Sequence, residues 1–174
     1  MKSFAEERRT GTIELLFTRP VSDLGILMAK YLAGVTLLII AILPTLCYYV
    51  SVHYLGKPIG IIDGGATFTS YMGLLLLGSV FVAIGIFASA LTSSQIIAFI
   101  VSMFLCWFLF DGLHLLGDFG QFGALDYLVK YLSLAFHYDS IKKGVIVTED
   151  LLFFLSVIFT FLFAAHAALK TLKR

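Results

Sequence analysis

Asp111 and His114 are the residues of this chain whose types and spacing come closest to chemistry inside an apolar setting. At i and i+3 of a helix they share one face, near enough for a hydrogen bond. Ionisable residues at membrane depth are functional candidates, and the sharp form of this one is a proton or cation path. The plain form is an interfacial pair, because "DGLHLLGD" follows directly on the aromatic run "MFLCWFLF", which resembles a membrane-interface belt. The plain form is favoured: from Gly64 to Phe110 no Asp, Glu, Lys, Arg or His occurs over 47 residues, so no relay continues along the depth.

Catalysis needs polar groups that converge, and few are available. No phosphate-binding Gly-x-x-x-x-Gly-Lys-Ser/Thr loop occurs, and the one Gly-Lys pair, Gly56 and Lys57, runs into Pro58, so the chain is expected to bind no ATP itself. Neither His-Glu-x-x-His nor Gly-x-Ser-x-Gly is found. Cys47 and Cys106 both lie in apolar runs, where a small hydrophobe is the simplest reading. No catalytic residue, metal site, disulfide or cofactor is expected.

The elements that must position such residues follow from composition. Of 174 residues 60% are hydrophobic and 13% charged, with mean hydropathy +0.99, well below the roughly 25% charge of soluble domains. This is the signature of an all-α integral membrane protein. A net charge of +1, with basic residues at segment ends, gives no footing for nucleic acid, and the bilayer is the first partner.

A crossing helix needs about 20 apolar residues. Four stretches qualify: 24–55, 67–91, 95–116 and 150–169. The first has Ser22 as a candidate N-cap and Pro44 toward its far end, where the missing N–H and the ring should kink the helix. The second and third meet at "TSSQ", in which Thr92 and Gln95 have capping-box spacing. Thr148 is the expected N-cap of the fourth. Residues 118–142 interleave Leu125, Leu128, Val129, Leu132 and Phe136 with Asp126, Lys130 and His137, a pattern for an amphipathic segment in the membrane interface. Ala29 with Ala33, Gly85 with Ser89, and Ala164 or Ala165 with Ala168 are small-residue pairs that let helices approach closely.

Lys and Arg near the helix ends set the orientation. With the N-terminal segment in the cytoplasm, four crossings put eight of them inside and four outside (Lys57, Lys130, Lys142, Lys143). Both termini are therefore expected to be cytoplasmic, which for a bacterial chain means the inner membrane.

The remaining chemistry-bearing stretch is "SFAEERRTGTIELLFTRP", residues 3–20. Ser3 and Glu6 form a capping box that starts a helix, and Ile13, Leu16 and Phe17 supply an apolar stripe. Glu6, Glu7, Arg8 and Arg9 give it a dense charged cluster, suited to the membrane surface or to a groove of a cytoplasmic partner. Gly11 inside such a helix costs about 1 kcal/mol relative to alanine, which makes sense if a partner backbone approaches there or the helix bends.

Within it, Glu7, Gly11, Thr12 and Glu14 resemble the Glu-x-x-x-Gly-Thr-x-Glu signature that follows the second membrane helix of ABC-2 type permeases, the membrane half of many bacterial ATP-binding-cassette exporters. "SDLGILMAKYLAG", "LPTL", "FVAIGIFASALTSSQIIAFI" and "HYDSIKKGVI" are similar to the gliding-motility-associated permeases of Bacteroidetes. The resemblance implies that residues 3–18 are a cytoplasmic coupling helix. Glu6, Glu7, Arg8, Arg9, Gly11, Thr12 and Glu14 would face a separate ATPase subunit, with Ile13, Leu16 and Phe17 against the bundle. It further implies a second permease copy or a homologous permease, and an exporter whose ATP hydrolysis resides on another chain. Permeases of this kind have six crossings with the signature after the second. Here the signature lies at residue 7, so two N-terminal helices are expected to be missing from this chain, which would make it a partial permease domain. The alternative reading is a membrane scaffold or accessory subunit of a motility or secretion complex without transport of its own.

Overall fold

The computed structural model describes residues 3–11, 22–56, 63–118 and 126–172, and every element among them is helical. Helix α1 (Ser3–Arg9) is short. The first membrane-length helix, 33 residues from Asp23 to Leu55, consists of α2 (Asp23–Ile42), a 3₁₀ turn Leu43–Thr45 and α3 (Leu46–Leu55). Ser22 caps it, its hydroxyl accepting from the Gly25 N–H at 3.1 Å. Pro44 sits inside the 3₁₀ turn, as the loss of its N–H requires, and Thr45 Oγ1 donates to the Ile42 carbonyl at 2.6 Å there.

Helix α4 (Gly64–Leu91) starts three residues before the expected Thr67, because Asp63 is its N-cap: Oδ1 accepts from Gly65 N at 2.8 Å and Ala66 N at 3.4 Å. The turn after α4 differs from the expected capping box. Thr92 is extended and ends α4, and its Oγ1 accepts from Ser94 N, while the N-cap of α5 (Gln95–Trp107) is Ser94, which accepts from Ile97 N. The third span continues through a π turn, Phe108–Gly112, into α6 (Leu113–Asp118). Helix α9 (Thr148–Leu172) already includes Thr148, and the Leu151 N–H donates to the Val147 carbonyl, so the cap lies one residue earlier than expected.

The segment before α9 is two helices, α7 (Asp126–Tyr131) and α8 (Leu134–Lys142), instead of one continuous amphipath. Ser133 makes the break: its Oγ accepts from Ala135 N as the N-cap of α8 and donates to the Phe110 carbonyl at 2.6 Å, within the π turn. Leu134, His137 and Ile141 are buried at i, i+3 and i+7, so α8 lays one face against the bundle.

Among the described residues, four helices are long and apolar enough to cross a membrane. Helix α4 is their centre, half buried over its most apolar stretch against 6% for the first span, and it packs on α9, α5, α2, α8 and α1. Two cores follow. One joins Leu77, Val80 and Ile84 of α4 to Leu134 and Ile141 of α8 and Phe154 and Ile158 of α9. The other, at the opposite end, joins Phe4 of α1 to Leu27, Ile86, Ala90, Ala165 and Leu169.

Lipid tails are as apolar as leucine, so close packing, more than burial itself, holds such helices together. Gly85, Ser89 and Ala165 from the expected small-residue pairs are buried at contacts, whereas Ala29 and Ala33 are exposed. One close approach is Gly73 against α8, where an added Cβ would sit 2.5 Å from Ile141 Cγ2. Gly73→Leu is expected to lower stability by roughly 1–3 kcal/mol through overpacking. Thermal unfolding in detergent micelles checks it, and an unchanged midpoint would contradict this packing.

Candidate functional site

Two polar clusters lie at opposite ends of the bundle. At one end, where α2 begins and α4 and α9 end, α1 is docked against the helix tips. Phe4 and Ala5 are buried, and the Lys30 ammonium of α2 stands 4.1 Å from the centre of the Phe4 ring. Lys30 Nζ also meets Glu7 Oε2 at 2.5 Å. The Phe4 and Ala5 N–H groups both donate to Ser89 Oγ at 2.9 Å, and Arg8 Nη1 donates to the Ala90 carbonyl at 3.1 Å. Thus the first-turn donors of α1, which have no partner within their own helix, are met by a fully buried side chain of α4.

The charged cluster is therefore divided. Glu7 and Arg8 turn toward the bundle, Glu6 is half-buried and Arg9 exposed. The expected continuous helix over 3–18 is interrupted: α1 ends at Arg9, Thr10 N donates to the Glu6 carbonyl, and Gly11 adopts φ +72°. That left-handed conformation suits glycine and closes the helix, so Gly11 is its terminator and not a mid-helix residue. Thr12, Ile13, Glu14, Leu16 and Phe17 lie outside the described residues. The apolar anchor seen on α1 is Phe4. Just beyond Lys30 a cleft of about 590 Å³ runs between α2 and α4, lined by Ala33, Gly34, Leu38, Gly78 and Gly85 among others.

At the other end, Asp111 and His114 line a recess of about 520 Å³ with Phe136, Asp139, Ser140 and Lys143. Although they share this recess, the expected hydrogen bond between them gives way to another: His114 Nδ1 pairs with Asp118 Oδ2 at 3.2 Å, one helical turn on, and Lys130 Nζ of α7 meets Asp118 Oδ1 at 2.6 Å. The π turn holding Asp111 shifts the register between these positions, which an i, i+3 argument cannot anticipate. Hydrogen bonds from Lys143 and then Lys142 hold the Asp139 carboxyl below its usual range. The Tyr131 hydroxyl, which donates to Glu149 Oε1 at 2.7 Å, is pushed above the ordinary phenol range chiefly by that bond.

Sequence reasoning missed the buried pair beside this recess. His137 Nδ1 lies 2.7 Å from Asp150 Oδ1 and Nε2 lies 2.9 Å from the Tyr131 carbonyl, with the Phe153 ring stacked at 4.0 Å. A carbonyl only accepts, so Nε2 carries a hydrogen, and the second ring nitrogen shares its proton with Asp150. The pair fastens α8 to α9 and to the last residue of α7. Its members stand 13 positions apart on different helices, with no local spacing to betray them.

Among the described residues no group of three or more His, Cys, Asp or Glu side chains could hold a metal. No curated protein and no solved structure matches the chain significantly. The profile of the ABC-2 family transporter protein matches residues 1–119, which takes in α1, the first three spans and Asp111 with His114. A match over well more than half the chain, together with four membrane-length helices, decides the class. The chain belongs to the ABC-2 family of transporter proteins, as a multi-pass membrane component of transport that is not itself catalytic.

Proposed function

We propose that this chain is the permease subunit of an ATP-driven exporter, with a separate ATPase subunit engaging the α1 region from the cytoplasm. The observation that carries this reading is the docked α1. A charged helix bearing the start of the Glu-x-x-x-Gly-Thr-x-Glu pattern lies across the tips of α2, α4 and α9, where a partner's closure can push on three helices at once. Arg9 and Glu6 are the charged groups of α1 left for that partner, and the resemblance adds Thr12 and Glu14. Glu7 and Arg8 serve the bundle side.

In this reading both termini are cytoplasmic, the membrane is the bacterial inner membrane, and the outer recess of Asp111 and His114 faces the opposite compartment. The first span, nearly unburied within one chain, is available to lipid and to a second permease. The resemblance of "SDLGILMAKYLAG" and "HYDSIKKGVI" to gliding-motility permeases supports an assignment to that process.

Co-expression with a candidate ATPase subunit tests the coupling role. Deleting residues 3–18 is expected to abolish capture of the ATPase by the tagged chain, and capture that survives the deletion rules the role out. An ATP-site mutation in that ATPase is expected to abolish export. Function that persists would favour a scaffold instead.

A further inference from the structure

The contacts between α1 and α4 are reciprocal. Ser89, fully buried in the last turn of α4, accepts the Phe4 and Ala5 N–H groups, and the hydroxyl has the two lone pairs this requires. The adjacent Ala90 carbonyl, one of the C-terminal acceptors that α4 cannot satisfy itself, receives the Arg8 guanidinium at the negative end of the helix dipole. Each helix caps the other, and both caps fall on neighbouring residues of α4. Drawing α1 away from α4 would break these three hydrogen bonds together and return their groups to water, a net cost that adds to the loss of apolar contact.

Beside the apolar contact of Phe4 with Leu27, the polar tie to α2 is of another kind. Glu7 and Lys30 have side chains 28% and 19% exposed on long, rotatable stems, so their ion pair is screened by solvent and follows small displacements. Helix α4, in turn, touches every other membrane-spanning helix and reaches α8 at the far end through Gly73 and Ile141. A rigid tie to α4 and a compliant one to α2 select the route of a push.

We propose that α1 and α4 move as one mutually capped unit, and that Ser89 is the positioning residue through which displacement of α1 enters the bundle. This rests on the reading of α1 as the element that receives the ATPase. The route thus runs through a contact 85 positions away in sequence, in preference to the chain connection into α2.

The test uses the full chain in lipid nanodiscs with its ATPase. Cys47 and Cys106 are replaced by alanine, and an environment-sensitive dye is placed at the exposed Phe68 position near the far end of α4. In the parent protein, amide exchange at Phe4 and Ala5 is expected to be slow and ATP is expected to shift the dye emission. Ser89→Ala is expected to speed exchange at both amides by about tenfold or more and to remove the dye response, while the ATPase is still captured. Arg8→Gln, on a half-exposed side chain that folding tolerates, is expected to act in the same direction. Lys30→Met, which removes the ion pair to Glu7 and the cation over the Phe4 ring but none of the hydrogen bonds to α4, should leave the response in place. Retained capture with an unchanged dye response in Ser89→Ala overturns the role of Ser89 alone, as does exchange that stays slow. Failure of the parent protein to capture the ATPase overturns the coupling reading beneath it.

Discussion

His137→Leu is expected to destabilise the protein by roughly 3–5 kcal/mol, the range for removing one partner of a buried ion pair. His137 is 1% exposed and Asp150 6%, and Asp150 Oδ2 already lacks a hydrogen-bond partner, so the carboxylate has no second contact on which to fall back. The loss would be felt first where α8 meets α9 and the Tyr131 carbonyl, since these are the elements that the imidazole joins. The double variant His137→Leu, Asp150→Leu removes the buried charge as well as its partner, and it is expected to recover most of the loss. Unfolding of the full chain in detergent micelles measures both. A single variant as stable as the parent, or a double variant no better than the single, contradicts the lock.

The second large effect is expected from Phe4→Ala. Phe4 is 1% exposed and packs with Leu27, Ile86, Ala90, Ala165 and Leu169, and its ring face receives Lys30. Because α1 lies ahead of the first span, in water when undocked, the hydrophobic term applies to it in full, unlike contacts between helices within lipid. Truncating a buried phenylalanine costs about 3–5 kcal/mol, and the lost cation–π contact adds roughly 0.5–1 kcal/mol. The cost falls first on docking of α1, because the core around Leu77, Val80 and Phe154 contains no residue of α1. At about 1.4 kcal/mol per tenfold, the undocked population should rise more than a hundredfold. Trypsin cleavage at Arg8 reads this directly: slow in the parent, fast in Phe4→Ala, with thermal unfolding of the spans little changed. Equal cleavage rates would show that Phe4 does not anchor α1.

These two sites differ in how far they could be read in advance. Around α1, Glu7, Arg8 and Gly11 stand out as a charged, glycine-broken amphipath, but their division between bundle and partner does not. Lys30 is 23 residues from Glu7 and Ser89 is 85 from Phe4, separations for which chain spacing carries no rule. At the opposite end, Asp111 and His114 attract notice because they are ionisable near an aromatic belt, whereas Asp118, Lys130, His137 and Asp150 read as ordinary interfacial polarity. Their pairing depends on α7 and α8 folding back as two helices, and that in turn on Ser133 reaching the Phe110 carbonyl.

The class, the number of membrane-length helices, the Ser22 cap, the interruption at Pro44 and the family resemblance in residues 3–20 were legible along the chain alone. Each of these depends on hydropathy summed over a window, or on backbone chemistry within a few residues, both of which are local. Which small residues meet, which charges turn inward and what receives the Phe4 and Ala5 N–H groups emerged from the packed helices. Those outcomes depend on how helices cross, and crossing is set by the close fit of side chains from distant segments, Gly73 on Ile141 and Phe4 beneath Lys30.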